Sequence, residues 1–147
     1  TGSAYHPRGV VHNVPLHRLV LSRNLSRLYS WVLGVRIYTY SSLMRLYRAE
    51  VLRSVPFDSD DFLAVAELLV RALMQGYRVV EHPMPLTARR FGGSKASLLR
   101  LVRDHLGFLW WLLRHRIRIP QAAVLSTDGQ GADGSADSTP LLTAAKR

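Results

Sequence analysis

Apolar residues switch between helical and near-alternate spacing along the chain, and each change of period marks an element. From Pro15 to about Leu33 the pattern is helical. Pro15 suits a first helical position, and Gly34 sits where a C-terminal glycine is expected. Val35 to Tyr40 brings β-branched and aromatic residues in partial alternation, which predicts a strand or extended segment. A short helical piece follows from Ala49 to Ser54. The clearest helix runs from about Phe62 to Gln75, closed by Gly76, with Leu63, Ala66, Leu69, Val70 and Leu73 as its apolar stripe. Tyr77 to His82 reads as a strand that Pro83 and Pro85 confine to an edge or an end. From Ser97 to about Ile119 a long amphipathic helix gathers Arg100, Arg103, Asp104, Gly107, Arg114, His115 and Arg118 on one side. Leu98, Leu101, Val102, Leu106, Leu109, Leu112 and Leu113 lie opposite. Residues 1–14 read as extended chain and turn, with Val10-Val11 as a short apolar piece. Beyond Pro120 the apolar period is lost, and a Gly-, Ser- and Asp-rich composition predicts a disordered tail over residues 120–147.

Composition narrows what such a chain can do. With 147 residues and a hydrophobic fraction of 48%, it can bury one real core. The formal net charge of +10 calls for an anionic partner: nucleic acid, anionic lipid or a phosphorylated small molecule. There is no cysteine, so disulfides and thiolate metal sites are excluded, and the six histidines lack metal-ligand spacing. Thr1-Gly2-Ser3-Ala4 offers neither an initiator Met nor an apolar signal region, so the chain reads as beginning inside a larger fold. The apolar centre Leu106 to Leu113 is too short to span a bilayer. A basic amphipathic helix with Trp110-Trp111 suits the membrane interface, with packing on a protein core as the competing reading.

Candidate chemistry concentrates in Ala88-Arg89-Arg90-Phe91-Gly92-Gly93-Ser94-Lys95. Its glycines allow backbone N–H groups to approach a ligand, Lys95 supplies a point charge, and a following helix would add its positive dipole end. It is not a P-loop, because the Gly-x-x-x-x-Gly-Lys-Ser/Thr spacing is absent. Arg18 and Ser22, four apart, share one helix face; Arg23 and Arg27 repeat the spacing beside them. Arg45 lies among apolar residues, so it is either buried with a partner or aimed into a site. Glu67 is either an i,i+4 partner of Arg71 or a carboxylate facing a cleft, which makes it the one candidate for a catalytic group. Asp58-Ser59-Asp60 spells Asp-x-Asp, but helix capping explains these residues, and no metal ligand is assigned.

Six segments in order resemble family-2 glycosyltransferases of the polyprenyl-phosphate (dolichol-phosphate) mannose synthase type. They are Gly2-Ser3-Ala4-Tyr5, Arg18 to Ser22-Arg23, and Thr39-Tyr40-Ser41-Ser42-Leu43-Met44-Arg45-Leu46-Tyr47-Arg48. The others are Glu67-Leu68-Leu69-Val70-Arg71-Ala72, Gly76-Tyr77-Arg78-Val79-Val80-Glu81-His82-Pro83, and Arg89-Arg90-Phe91-Gly92-Gly93-Ser94-Lys95. The resemblance implies an α/β chain, the C-terminal part of a GT-A fold, with its N-terminal nucleotide-binding half missing. Residues 1–96 would be the acceptor-side part, 97–119 a membrane-interfacial helix and 120–147 a tail.

By the same resemblance, Arg89 binds the donor diphosphate, supported by Ser94 and Lys95. Arg18 and Ser22 bind the acceptor phosphate, and Arg45 belongs to the cleft. The full-length protein would move a hexose, mannose in the first instance, from a nucleotide-diphospho-sugar donor to a polyprenyl phosphate, peripheral to the cytoplasmic face of a membrane. Mg²⁺ or Mn²⁺ would be held by the missing half, so this chain alone should be inactive. Two residues depart from the pattern: Ala4 replaces an arginine, and Thr39 stands where many members have aspartate. The alternatives are a related transferase of glucose or another sugar, or a basic membrane- or nucleic-acid-binding module. The aromatics do not interleave with the basic residues as base stacking requires, so no nucleic-acid partner is expected.

Overall fold

A computed structural model describes residues 1–87 and 98–126. Its elements are β1 (Gly2–Ser3), β2 (Val10–His12), α1 (Leu16–Leu33), α2 (Ala49–Ser54), α3 (Phe62–Met74), β3 (Val79–Pro83), β4 (Pro85–Thr87), α4 (Leu98–Arg114) and β5 (Val124–Ser126). Every strand pairing is parallel. One sheet runs β1-β3-β5, with Gly2 opposite His82 and Val79 opposite Val124; the other pairs β2 with β4. The chain is therefore mixed α/β, with helices crossing between parallel strands.

Helices α1 and α3 stop where their sequence chemistry says they should. Gly34 ends α1 in the left-handed region (φ 74°) and returns its N–H to the Ser30 carbonyl. Asp61 caps α3, its carboxylate accepting the Leu63 N–H at 2.8 Å, and Gly76 turns the chain out at φ 85°. Ala66, Leu69, Val70 and Leu73 of the α3 stripe are buried. They meet Tyr29, Val32 and Leu33 of α1 and Leu109 and Leu112 of α4 in one core.

Three expectations shift. Residues 35–40 are extended but join no ladder. Val35, Ile37 and Tyr40 point into the core, and side chains serve the backbone instead. The Tyr38 N–H donates to both Glu81 oxygens at 2.9 and 3.0 Å, the Tyr40 N–H to Ser26 Oγ at 3.2 Å, and the Arg36 N–H to Gln121 Oε1 at 3.0 Å. The C-terminal helix stops at Arg114 rather than Ile119. Arg116 takes a left-handed φ of 52°, and the Ile117 N–H reaches back to the Leu112 carbonyl, a Schellman ending made without glycine. Finally, regular structure continues past Pro120, inside the span read as a tail. Ile119 is buried and donates its N–H to Leu33, and residues 124–126 add β5 to the sheet beside β3. Residues 127–147 lie outside the described residues.

Arg45 resolves in favour of burial with partners. Its guanidinium donates to the carbonyls of Tyr40 and Val65 and, at 3.3 Å, through Nε to Thr1 Oγ1. One side chain thus ties the chain start, the extended segment and α3. Desolvation pulls its pKa down from the ordinary value, but the starting point is so high that the group stays charged. Replacing it with methionine (Arg45→Met) strands those carbonyls. The expected loss is about 2–4 kcal/mol, read as a lower denaturation midpoint with an unchanged slope.

Candidate functional site

α1 carries the predicted phosphate pair on the side turned toward α4. Arg18 and Ser22 line the same cavity, of about 240 Å³, closed by Leu21, Leu25, Leu101 and His105. Ser22 Oγ lies 2.9 Å from Ser41 Oγ, so the chain leaving the extended segment brings a second hydroxyl to the pair. Through Leu21 and Leu98 this cavity continues into an open apolar groove of about 1050 Å³ between α1 and α4, lined by Leu16, Val20, Leu99, Val102 and Leu106. One guanidinium and two hydroxyls at the end of an apolar trough make an amphipathic site. It suits a phosphate attached to a hydrocarbon.

His105 closes the back of the phosphate end and is fully buried. Its Nδ1 is 2.9 Å from the Tyr29 hydroxyl, which itself stacks on Tyr40. Burial lowers the imidazole pKa, against the opposing pull of Asp61 and Asp104. The sequence offered a signal for it that composition alone hides: Leu101, His105, Leu109 and Leu112 share the helical spacing of the core-facing stripe. Ser41 sat inside a recognised segment without a role of its own.

The remaining predicted residues are placed differently. Glu67 is buried, pairs with Arg71 at 2.6 Å and accepts the backbone N–H groups of Asp58 and Ser59 at 3.4 and 3.0 Å. Desolvation would raise its pKa, but these donors together with Arg71 outweigh it and hold the carboxyl below its ordinary value. Its carboxylate is committed to fastening the turn before α3. Asp58 lies in that same turn and bridges to Arg71 at 2.8 Å. No group of three or more His, Asp or Glu among the described residues could hold a metal ion. Ala4, at the position of the family arginine, lines a separate cavity with Tyr5, His6 and Arg23, so the structure does not bring it to Arg18. The donor-side residues Arg89, Ser94 and Lys95 lie outside the described residues.

Comparison with known proteins agrees with this geometry. Over 119 residues the chain is 35% identical to a polyprenol monophosphomannose synthase of Mycolicibacterium smegmatis, covering 79% of this chain and 45% of that one. It is 29% identical over 126 residues to an undecaprenyl-phosphate mannosyltransferase of Micrococcus luteus, covering 79% of this chain and 52% of the relative. The chain is related to the polyprenyl-phosphate mannose synthase-like glycosyltransferases. A 64-residue match, 36% identical, to a dolichyl-phosphate hexose transferase of Haloferax volcanii covers 44% of this chain and 28% of that one. The chain spans about half the length of the first and second of these relatives. No family model and no solved structure matches it.

The buried histidine makes acid stability a test of the site. Its folded pKa lies below the unfolded value, so the unfolded chain takes the proton first as pH falls. The stability it contributes is complete above about pH 6.5 and is lost as pH drops through the window below. Melting temperature should fall on acidification in the wild type and fall less steeply in His105→Gln. A difference between the two proteins that stays constant with pH would sink the assignment.

Proposed function

We propose that this protein transfers a hexose, mannose in the first instance, from a nucleotide-diphospho-sugar to a polyprenyl phosphate at a membrane surface. In this reading the chain is the acceptor-side part of a GT-A glycosyltransferase. The observation that carries it is the continuity of the Arg18–Ser22 cavity with the apolar groove between α1 and α4. Arg18 and Ser22, with Ser41 beside them, hold the acceptor phosphate, while Leu21, Leu98, Val102 and Leu106 receive the first isoprene units. Two of these relatives are named for polyprenyl-type phosphates and mannose, which supports acceptor and sugar alike.

The chemistry asks little of a general base. A phosphate monoester is largely dianionic at neutral pH, so its oxygen is already a nucleophile. It attacks the anomeric carbon, the bond from that carbon to the donor phosphate oxygen breaks, and the diphosphate leaves with the electron pair. Catalysis then rests on positioning the acceptor and on neutralising the departing charge. The structural commitment of Glu67 is no obstacle to this. Arg89, Ser94 and Lys95 are proposed to receive the leaving diphosphate. Mg²⁺ or Mn²⁺ would share that work, but the described residues do not fit such an ion.

The outward faces support a membrane surface. Leu99 is 85% exposed and Trp110 62% exposed on α4, with Arg114 packed 5.6 Å from the Trp110 ring. On α1, Leu16 and Trp31 are likewise exposed. Among the described residues no helix is long and apolar enough to cross a membrane. A helix pair presenting apolar and cationic residues together is built to lie in an anionic interface.

In the full-length protein, Arg18→Ala should raise KM for polyprenyl phosphate and cost about 10- to 100-fold in kcat/KM, the loss of one charge-assisted contact. KM for the nucleotide-sugar should hold steady. An unchanged acceptor KM in Arg18→Ala, measured by transfer of labelled mannose to lipid, overturns the acceptor assignment.

A further inference from the structure

α1 has a second basic face, and it serves a different cavity. Arg23 follows Arg18 by five residues and Arg27 follows Ser22 by five, which turns them about 140° around the helix. There Arg23, Arg27 and Arg36 line a cavity of about 740 Å³ with Tyr5, Tyr38 and Trp31. Among the described residues it shares no lining residue with the Arg18–Ser22 cavity, and no carboxylate lines it. Among the described residues none of the three arginines has an acidic partner.

Two of these guanidiniums are already oriented. Arg23 lies 5.1 Å over the Tyr5 ring and Arg36 lies 4.9 Å over the Tyr38 ring. Stacking uses the face of a guanidinium and leaves its N–H edge available, so the rings hold two forks ready for a planar or tetrahedral oxyanion. Gln121 accepts the Arg36 N–H through Oε1, which leaves its amide nitrogen as a donor on the same wall. The 67%-exposed Trp31 supplies apolar surface at the rim. Arg23 and Arg27, four apart on one helix, also repel one another until an anion sits between them.

We propose that the Arg23–Arg27–Arg36 cavity is a second anion site, built for a phosphate group carried on an apolar or aromatic body. It is separate from the acceptor site and does not depend on the transferase reading. The phosphate could belong to a lipid headgroup at the membrane or to a soluble molecule, and the two sources are separable.

Inorganic phosphate is the first probe, read by NMR on the indole N–H of Trp31, whose signal the Trp31→Phe variant identifies. Titration should shift that signal saturably. Arg27→Gln with Arg36→Gln should weaken binding by about tenfold for each arginine removed, whereas Arg18→Gln should leave it unchanged. Both side chains are exposed, so the double variant should keep the wild-type melting temperature. The second arm is co-sedimentation with phosphatidylcholine vesicles, with and without phosphatidic acid. A phosphatidic-acid-dependent gain that the double variant loses identifies a headgroup. Unchanged sedimentation with lost phosphate binding identifies a soluble phosphate. A Trp31 signal indifferent to phosphate, or a double variant that binds as the wild type does, overturns the site.

Discussion

The Glu81 carboxylate accepts the Tyr38 N–H on both of its oxygens, and through that contact β3 grips a length of chain that no ladder reaches. A buried amide without a partner costs on the order of 1–3 kcal/mol, so residues 35–40 can be extended and buried only if side chains serve them. Ser26 and Ser30 do so from α1, Gln121 from beyond α4 and Arg45 from the far side. Burial pushes the Glu81 carboxyl above its ordinary pKa, while the amides of Tyr38 and Thr39 work against that rise. This clamp reaches beyond its own segment. It delivers Ser41 to Ser22 at the end of the Arg18–Ser22 cavity.

Much of the fold around that clamp was legible beforehand, because α1 and α3 carry their own boundary chemistry. Pro15, Gly34, Asp61 and Gly76 mark helix ends through local backbone preferences that need no tertiary information. The Arg18–Ser22 pair was legible for the same reason, since helical spacing alone puts both on one face. The extended segment was readable as extended but not as unpaired. Alternation reports which side chains are buried and says nothing about where backbone hydrogen bonds go. Arg45 stood between two readings in the sequence, because its partners are carbonyls, which every residue has. The ending at Arg116 was hidden by the absence of glycine, and β5 by its shortness, three residues joined to an edge far away in sequence. The basic Gly-Ser loop was readable as candidate phosphate chemistry, but a donor-side role for Arg89, Ser94 and Lys95 came only through resemblance.

Of the two readings of the C-terminal helix, core packing describes one side of it, and the other side carries exposed apolar residues. His105, Leu109 and Leu112 of α4 go into the core, while Leu99, Leu106, Trp110 and Leu113 stay in solvent. A seventeen-residue helix with apolar residues on both sides cannot satisfy them all against a single protein face. The inner stripe fixes α4 against α1 and α3, and that rigid placement leaves the outer stripe on the same side as the groove that opens between α1 and α4. A lipid that presents its phosphate to Arg18 would then have its chain leave toward the surface most compatible with hydrocarbon. Groove and exposed apolar stripe are coupled by one helix rather than assembled separately.

α1 shows how far charge can be placed against helix stability. Its eighteen residues include Arg18, Arg23 and Arg27 and no acidic residue, and none of its first-turn residues complements the dipole. The basic side chains gain nothing from i,i+4 ion pairs, and Arg23 and Arg27 lose a few tenths of a kcal/mol to mutual repulsion. The helix persists because Tyr29, Val32 and Leu33 are anchored in the core and contribute several kcal/mol by burial. Core packing can therefore hold three cations at positions where local energetics oppose them. A phosphate bound between Arg23 and Arg27 would remove the repulsion that the free helix bears. Two cavities flank this one acid-free helix, one with Arg18 and the other with Arg23 and Arg27, and both follow from that single allocation of charge.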